Sequence, residues 1–277
     1  VGLSALQQRT LTALVLAPLV AMGVLLLDTP HLALLFGLIV LYAAWEWTML
    51  AGVSRSIHRV AYLAFMTALF ILLWLAPLDR WTHYLLIPIV VWWLGLGAYV
   101  CRLRAIEASC TPRLGLLPVG ILVLTGPWLA IVYLHRLYDA GPWLVLFLLV
   151  LIWTADTAAY FSGRLWGRVK LAPLISPGKT WVGVYGALLA AALCGPVLMW
   201  MLGLSLGWGL VAVVVCVLTA VVSVVGDLYE SLLKRRRGLK DSGHLLPGHG
   251  GVLDRIDSLT AAAPVFTLGV LWLEAQL

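Results

Sequence analysis

Apolar runs recur along the whole chain, and several reach about 20 residues, enough to cross a hydrocarbon core about 30 Å thick. Nine spans can be drawn, at roughly 10–27, 31–50, 60–77, 83–101, 115–135, 142–161, 182–203, 207–230 and 259–275. Pro30, Pro77, Pro142 and Gly207 mark breaks between them. A β-barrel would show short alternating segments instead. Charged residues make up 11% of the chain, against roughly 25% in an average soluble domain, which removes a soluble reading. The expectation is an all-α, polytopic integral membrane protein with about nine transmembrane helices. It is one membrane domain over 1–277, with a helical scaffold in 1–140 and the chemistry in 141–277. The first apolar run follows Arg9 and further spans succeed it, so it reads as a retained helix rather than a cleavable signal; Val1 points to a trimmed or alternative start.

Charge distribution orients these spans. With the N-terminus in the cytoplasm, every one of the 18 basic residues except Arg80 and Arg136 falls on the inner side. That bias matches the preference of cytoplasmic loops for Lys and Arg and places the C-terminus outside. The basic surplus of +6 therefore follows topology, and nucleic-acid binding is not expected. Cys101, Cys110, Cys194 and Cys216 show no metal-ligand spacing and read as inert thiols.

The charge is concentrated in one stretch, GDLYESLLKRRRGLKDSGHLLPGHGGVLDRID, from Gly226 to Asp257. It carries Asp227, Glu230, Asp241, Asp254 and Asp257 beside Lys234, Arg235, Arg236, Arg237, Lys240 and Arg255. Carboxylates hold divalent metals, cations hold phosphate oxygens, and Gly248, Gly250 and Gly251 allow backbone amides to come close. The composition suits a cytoplasmic site for phosphates and a metal. Asp227, Glu230 and Lys234 share one helical face if the eighth span continues inward.

Two carboxylates fall inside spans. Asp156 lies 14 residues into the sixth, about 21 Å along at 1.5 Å per residue, where an unpaired charge costs several kcal/mol; a functional role is expected. Glu46, between Trp45 and Trp47, reads as a charge reaching the headgroup region, with a role in ordering the site as the alternative. The loop RLWGRVKLAPLISPGKTWVG carries Arg164, Arg168, Lys170 and Lys179. Ser176, Pro177 and Gly178 read as a turn, and SPGKT lacks the upstream glycine of a Walker A loop. It can still offer Lys179 and the hydroxyls of Ser176 and Thr180 to a phosphate.

The run SLLKRRRGLKDSGHLLPGHGGVLDRID resembles the signature of phosphatidate cytidylyltransferases, or CDP-diacylglycerol synthases. The matching residues are Ser231, Lys234, Arg235, Lys240, Asp241, Pro247, His249, Gly250, Gly251, Asp254, Arg255 and Asp257. ADTAAYFSGRLWG through ISPGKTW, and QRTLTALVLAPLV near the N-terminus, are also similar to the family. Val182 departs from it, since many relatives carry Glu or Gln there.

The resemblance implies that CTP and phosphatidate give CDP-diacylglycerol and pyrophosphate, in phospholipid biosynthesis, with Mg²⁺ required and a second, monovalent cation left open. It implies an enzyme of the cytoplasmic (inner) membrane with its site facing the cytoplasm, among membrane lipids, and leaves room for a homodimer. On this reading Asp227, Asp254 and Asp257 form the metal shell. Lys234, Lys240, Asp241, His249 and Arg255 are catalytic. Ser176, Lys179, Arg235, Gly250, Gly251 and Asp156 bind substrate and phosphate, while Arg236 and Arg237 are structural. The rivals are an ion-coupled transporter using Asp156 and a CTP-dependent lipid kinase.

Overall fold

The computed structural model describes residues 5–103, 111–137, 139–243, 245 and 250–276. Nine α-helices run through them: α1 (Ala5–Leu26), α2 (Thr29–Leu50), α3 (Ser56–Leu75), α4 (Leu78–Arg102), α5 (Leu116–His135), α6 (Gly141–Trp166), α7 (Trp181–Met201), α8 (Gly209–Arg236) and α9 (Leu253–Glu274). Eight are long and apolar enough to cross a membrane; the apolar part of α1, Leu14–Leu26, is shorter than a full span. The polytopic helical architecture stands, with about eight long spans where nine were expected.

Local chemistry explains the helix ends that matter. Asp28 caps α2 by accepting from the amide of His31 at 3.2 Å, with Pro30 in the first turn, where its missing N–H costs nothing. At the other end of the chain, α8 outruns its apolar part and continues to Arg236. It stops at Gly238, whose φ of +67° suits a residue without a Cβ. The amide of Leu239 then donates to the carbonyl of Lys234 at 2.8 Å and that of Gly238 to Arg235 at 3.0 Å. This paired closure turns the chain back toward α9.

Between α6 and α7 lies an antiparallel hairpin of β1 (Lys170–Ala172) and β2 (Ser176–Thr180). The sequence reading missed it and misplaced its turn. The turn is 172–175, closed by the amide of Ile175 donating to Ala172 at 3.1 Å. Pro173 occupies its second position, where a fixed φ is favoured. Ser176, Pro177 and Gly178 are strand residues instead.

Helices α5 and α9 form the centre, with 67% of each span window buried. Lipid offers no hydrophobic drive between helices, so close approach at small residues does the packing. A Cβ on Gly226 of α8 would sit 2.5 Å from the carbonyl oxygen of Asp257 in α9, and one on Gly183 of α7 would sit 2.9 Å from that of Ala159 in α6. The first contact lays Asp227 beside Asp257. Helix α2 packs against α5 and α9, pinned where Trp47 Nε1 donates to the carbonyl of Leu116 at 2.8 Å. Cys194 and Cys216 are free thiols on α7 and α8.

Candidate active site

Two groups of charged side chains meet where α6, α8, α9 and the hairpin converge. The inner group is buried. Lys234 Nζ lies 2.5 Å from Asp254 Oδ1 and 3.2 Å from Glu230 Oε1. Of the face predicted for Asp227, Glu230 and Lys234, the last two point inward together, while Asp227 turns to Lys179 instead. Asp254 Oδ2 accepts from the amide of Ser242 at 2.9 Å, its hydroxyl at 3.0 Å and the amide of Gly251 at 2.8 Å. Four donors thus occupy the Asp254 carboxylate. Glu230 is as deeply buried, yet neither of its oxygens has a hydrogen-bond partner among the described residues. The ion pair to Lys234 is its compensation.

The outer group is more open. Lys179 Nζ, at the end of β2, pairs with Asp227 Oδ2 at 2.6 Å, both side chains being partly exposed. Ser231 donates to Asp227 Oδ1 at 3.3 Å, one turn along α8. Asp257, half-buried on α9, accepts from the amide of Ser258 at 2.6 Å and lies within the electrostatic reach of Asp227, Lys179 and Lys234. Asp156, exposed on α6, lies within reach of Lys179 and Asp227. Four elements thus bring three carboxylates and a lysine together.

The three acids read as a metal shell therefore divide. Asp227 belongs to the open group and Asp254 to the buried one, while Asp257 lies within electrostatic reach of both. Among the described residues no three His, Cys, Asp or Glu side chains are gathered closely enough to hold a metal by themselves. Mg²⁺ needs no such cage, since one or two carboxylates, waters and substrate phosphates commonly complete its shell. The half-buried Asp227 and Asp257 fit that pattern.

The flanking residues vary. Arg235 donates from Nε to the carbonyl of Ile175 at 3.3 Å and from Nη1 to that of Leu239 at 3.2 Å, tying the hairpin to the end of α8. Lys240, Asp241 and Arg255 are exposed, and Ser176 is half-buried in β2. Arg236 reaches the Tyr99 hydroxyl at 2.9 Å and Arg237 the carbonyl of Thr111 at 3.3 Å, as structural residues would. Gly250 takes a φ of +79° beside Asp254 and Asp241, and the open side of Gly251 is filled by Ser242 and Glu46. Thr180 is not an exposed phosphate ligand: it is buried, and its hydroxyl caps α7 by accepting from Gly183 at 3.1 Å. Val182 follows in the first turn of α7, half-buried. His249 lies outside the described residues.

This geometry can be set against known proteins. A family model described as the cytidylyltransferase family matches residues 7–272. The chain belongs to the cytidylyltransferase family. Among its relatives, the phosphatidate cytidylyltransferase of Pseudomonas aeruginosa is 43% identical over 267 residues, covering 96% of this chain and 97% of the relative. That of Haemophilus influenzae is 38% identical and covers 95% of this chain and 97% of the relative. That of Brucella suis is 49% identical over 124 residues, 45% of each chain. The family match thus spans helices α1 to α9.

Sequence reasoning undervalued one residue and missed another. Glu46 does not reach the headgroups; its side chain is wholly buried beside Asp254. Its isolation in an apolar span was the available signal. Ser242 carried none, because its importance depends on a neighbour 196 positions away.

Proposed function

We propose that the chain joins CTP to phosphatidate at the cytoplasmic face of the inner membrane, in a Mg²⁺-dependent transfer that yields CDP-diacylglycerol and pyrophosphate. The chemistry follows from membership of the family and from two relatives of that activity matched over nearly their whole length. The observation that carries the site is the convergence of Asp156, Lys179, Asp227 and Asp257 from four elements at one end of the bundle. The bias of Lys and Arg toward that end supports a cytoplasmic side for it.

A phosphatidate oxygen attacks the α-phosphorus of CTP. A new P–O bond forms there as the bond to the bridging oxygen of the β-phosphate breaks, and pyrophosphate leaves with that electron pair. The nucleophile is already anionic, so no general base is required. The obstacle is repulsion between two anions, and the residues address it by charge and position. Asp227 and Asp257 would hold Mg²⁺, which when bound neutralises phosphate charge and aligns the reacting groups. Lys179 sits against Asp227 and offers its ammonium to a phosphate entering beside it. Lys240 and Arg255 are exposed and would take up the remaining phosphate charge. Lys234 and Asp254 hold the loop before α9 in place.

The lipid needs an apolar surface next to this charge. Leu228, adjacent to Asp227, lines an apolar cavity of about 130 Å³ with Val100, Leu171, Ile175 and Trp181.

Labelled CTP tests the reading. With phosphatidate in mixed micelles, label from the α-phosphate is expected in lipid and label from the γ-phosphate only in pyrophosphate. Lipid labelled from the γ position would mean a lipid kinase, and unlabelled lipid would leave a transporter.

A further inference from the structure

Helix α9 carries Asp254, Arg255 and Asp257 within its first turn and a half, so whatever fixes its start also aims these side chains. Its own N-cap residue does not do so, because Val252 makes no side-chain capping bond. The amides at the start are nevertheless satisfied. Gly251 donates to Asp254, as described above. The next two donate to a residue about 200 positions earlier: Val252 N to Glu46 Oε1 at 3.1 Å and Leu253 N to Glu46 Oε2 at 2.7 Å. A carboxylate on α2 thus caps α9 from outside, at the positive end of the helix dipole.

Three further observations make this contact specific. The Glu46 side chain has no exposure to solvent, so its charge depends on these donors and on the Ser242 hydroxyl. The Ser242 Oγ lies 3.0 Å from Glu46 Oε2 and also 3.0 Å from Asp254 Oδ2, so its single proton links the two carboxylates. Gly243 and Gly251 close on Glu46 so tightly that a Cβ at either position would collide with its carboxylate. The chain is built around this side chain on both approaches to α9.

We propose that Glu46 is a positioning residue for the transfer: from the N-terminal scaffold it fixes the start and rotation of α9, and through Ser242 it fixes the loop that holds Asp254. Asp257, four residues past Leu253, is thereby held within electrostatic reach of Asp227. The proposal rests on the site assigned above and adds a residue from the half of the chain that carries none of the assigned groups.

The test uses the full chain purified in detergent with phosphatidate micelles, and compares wild type with Glu46→Gln, Glu46→Ala and Ser242→Ala. Gln keeps the shape and one acceptor oxygen; Ala removes both. Misplacing catalytic groups by about 1 Å can cost about 100-fold in rate. The expected order of kcat is therefore wild type, then Glu46→Gln down about tenfold, then Glu46→Ala down about 100-fold. The Mg²⁺ concentration for half-maximal rate rises several-fold in both, and Ser242→Ala shows a smaller change of the same kind. Each value refers to protein that elutes as a single folded species.

A purely structural Glu46 would lower the yield of folded protein and leave kcat and Mg²⁺ dependence per folded molecule within about twofold of wild type, a spread small beside the tenfold expected of misplacement. That result overturns the proposal, as does failure of both Glu46→Gln and Ser242→Ala to fold. Loss of transfer in the wild-type chain would instead overturn the parent reading.

Discussion

Replacing Lys234 with Met is expected to abolish transfer and to lower stability by about 3–5 kcal/mol, the usual cost of removing one partner from a buried ion cluster. Met matches the stem of lysine and leaves no large cavity, so the effect isolates the charge. In the native chain one ammonium serves Glu230 and Asp254 together. Without it, two buried carboxylates are left uncompensated, and neither oxygen of Glu230 has a hydrogen-bond partner among the described residues. Thermal unfolding in detergent and the α-label assay would measure both effects. Adding Glu230→Gln should recover part of the stability, because a neutral amide no longer needs the missing cation, but should not recover activity. An unchanged unfolding temperature in Lys234→Met would show that the cluster is not coupled as its distances indicate.

Asp254→Asn is expected to be nearly as damaging, although it changes one atom. Both carboxylate oxygens accept: Oδ1 from Lys234, Oδ2 from the amides of Ser242 and Gly251 and from the Ser242 hydroxyl. An asparagine must turn its NH₂ toward one of these sets, so donor meets donor in either orientation. Leaving buried donors unsatisfied costs about 1–3 kcal/mol each. The segment leading into α9, at 250–253, together with Ser242, should exchange its amides faster, and transfer should fall by about 100-fold or more, as misplaced catalytic groups allow. Wild-type exchange in that segment would contradict the structural role assigned to this carboxylate.

The parts legible in the sequence were those set by local pattern. Apolar runs of span length gave the helices because lipid demands them. The helical spacing of Glu230 and Lys234 correctly puts them on one face, while Asp227, three residues before Glu230, pairs with Lys179 of the hairpin instead. The rest needed long-range geometry. Asp254 and Asp257 are three apart and look equivalent as ligands, yet one is enclosed by Lys234, Ser242 and Gly251 while the other accepts only from the Ser258 amide among the described residues and lies within electrostatic reach of Asp227. Glu46 looked like an interfacial charge because its flanking tryptophans fit that environment; only the packing of α2 on α9 makes it a cap. The hairpin was hidden because β1 and β2 are three and five residues long, too short for an alternating pattern to stand out. Pro177 also drew attention away from the true turn at Pro173.

Asp227 and Asp257, on α8 and α9, are the proposed place of cytidylyl transfer. The most direct measurement is incorporation of α-labelled CTP into lipid by Asp227→Asn and Asp257→Asn. Both side chains are partly exposed, so both variants should remain folded. Each is expected to lose about 100- to 1,000-fold of the wild-type rate, the range an electrostatic contribution of this kind supplies, and excess Mg²⁺ is expected to restore little of it. Label entering lipid at near wild-type rates in both folded variants would contradict that placement.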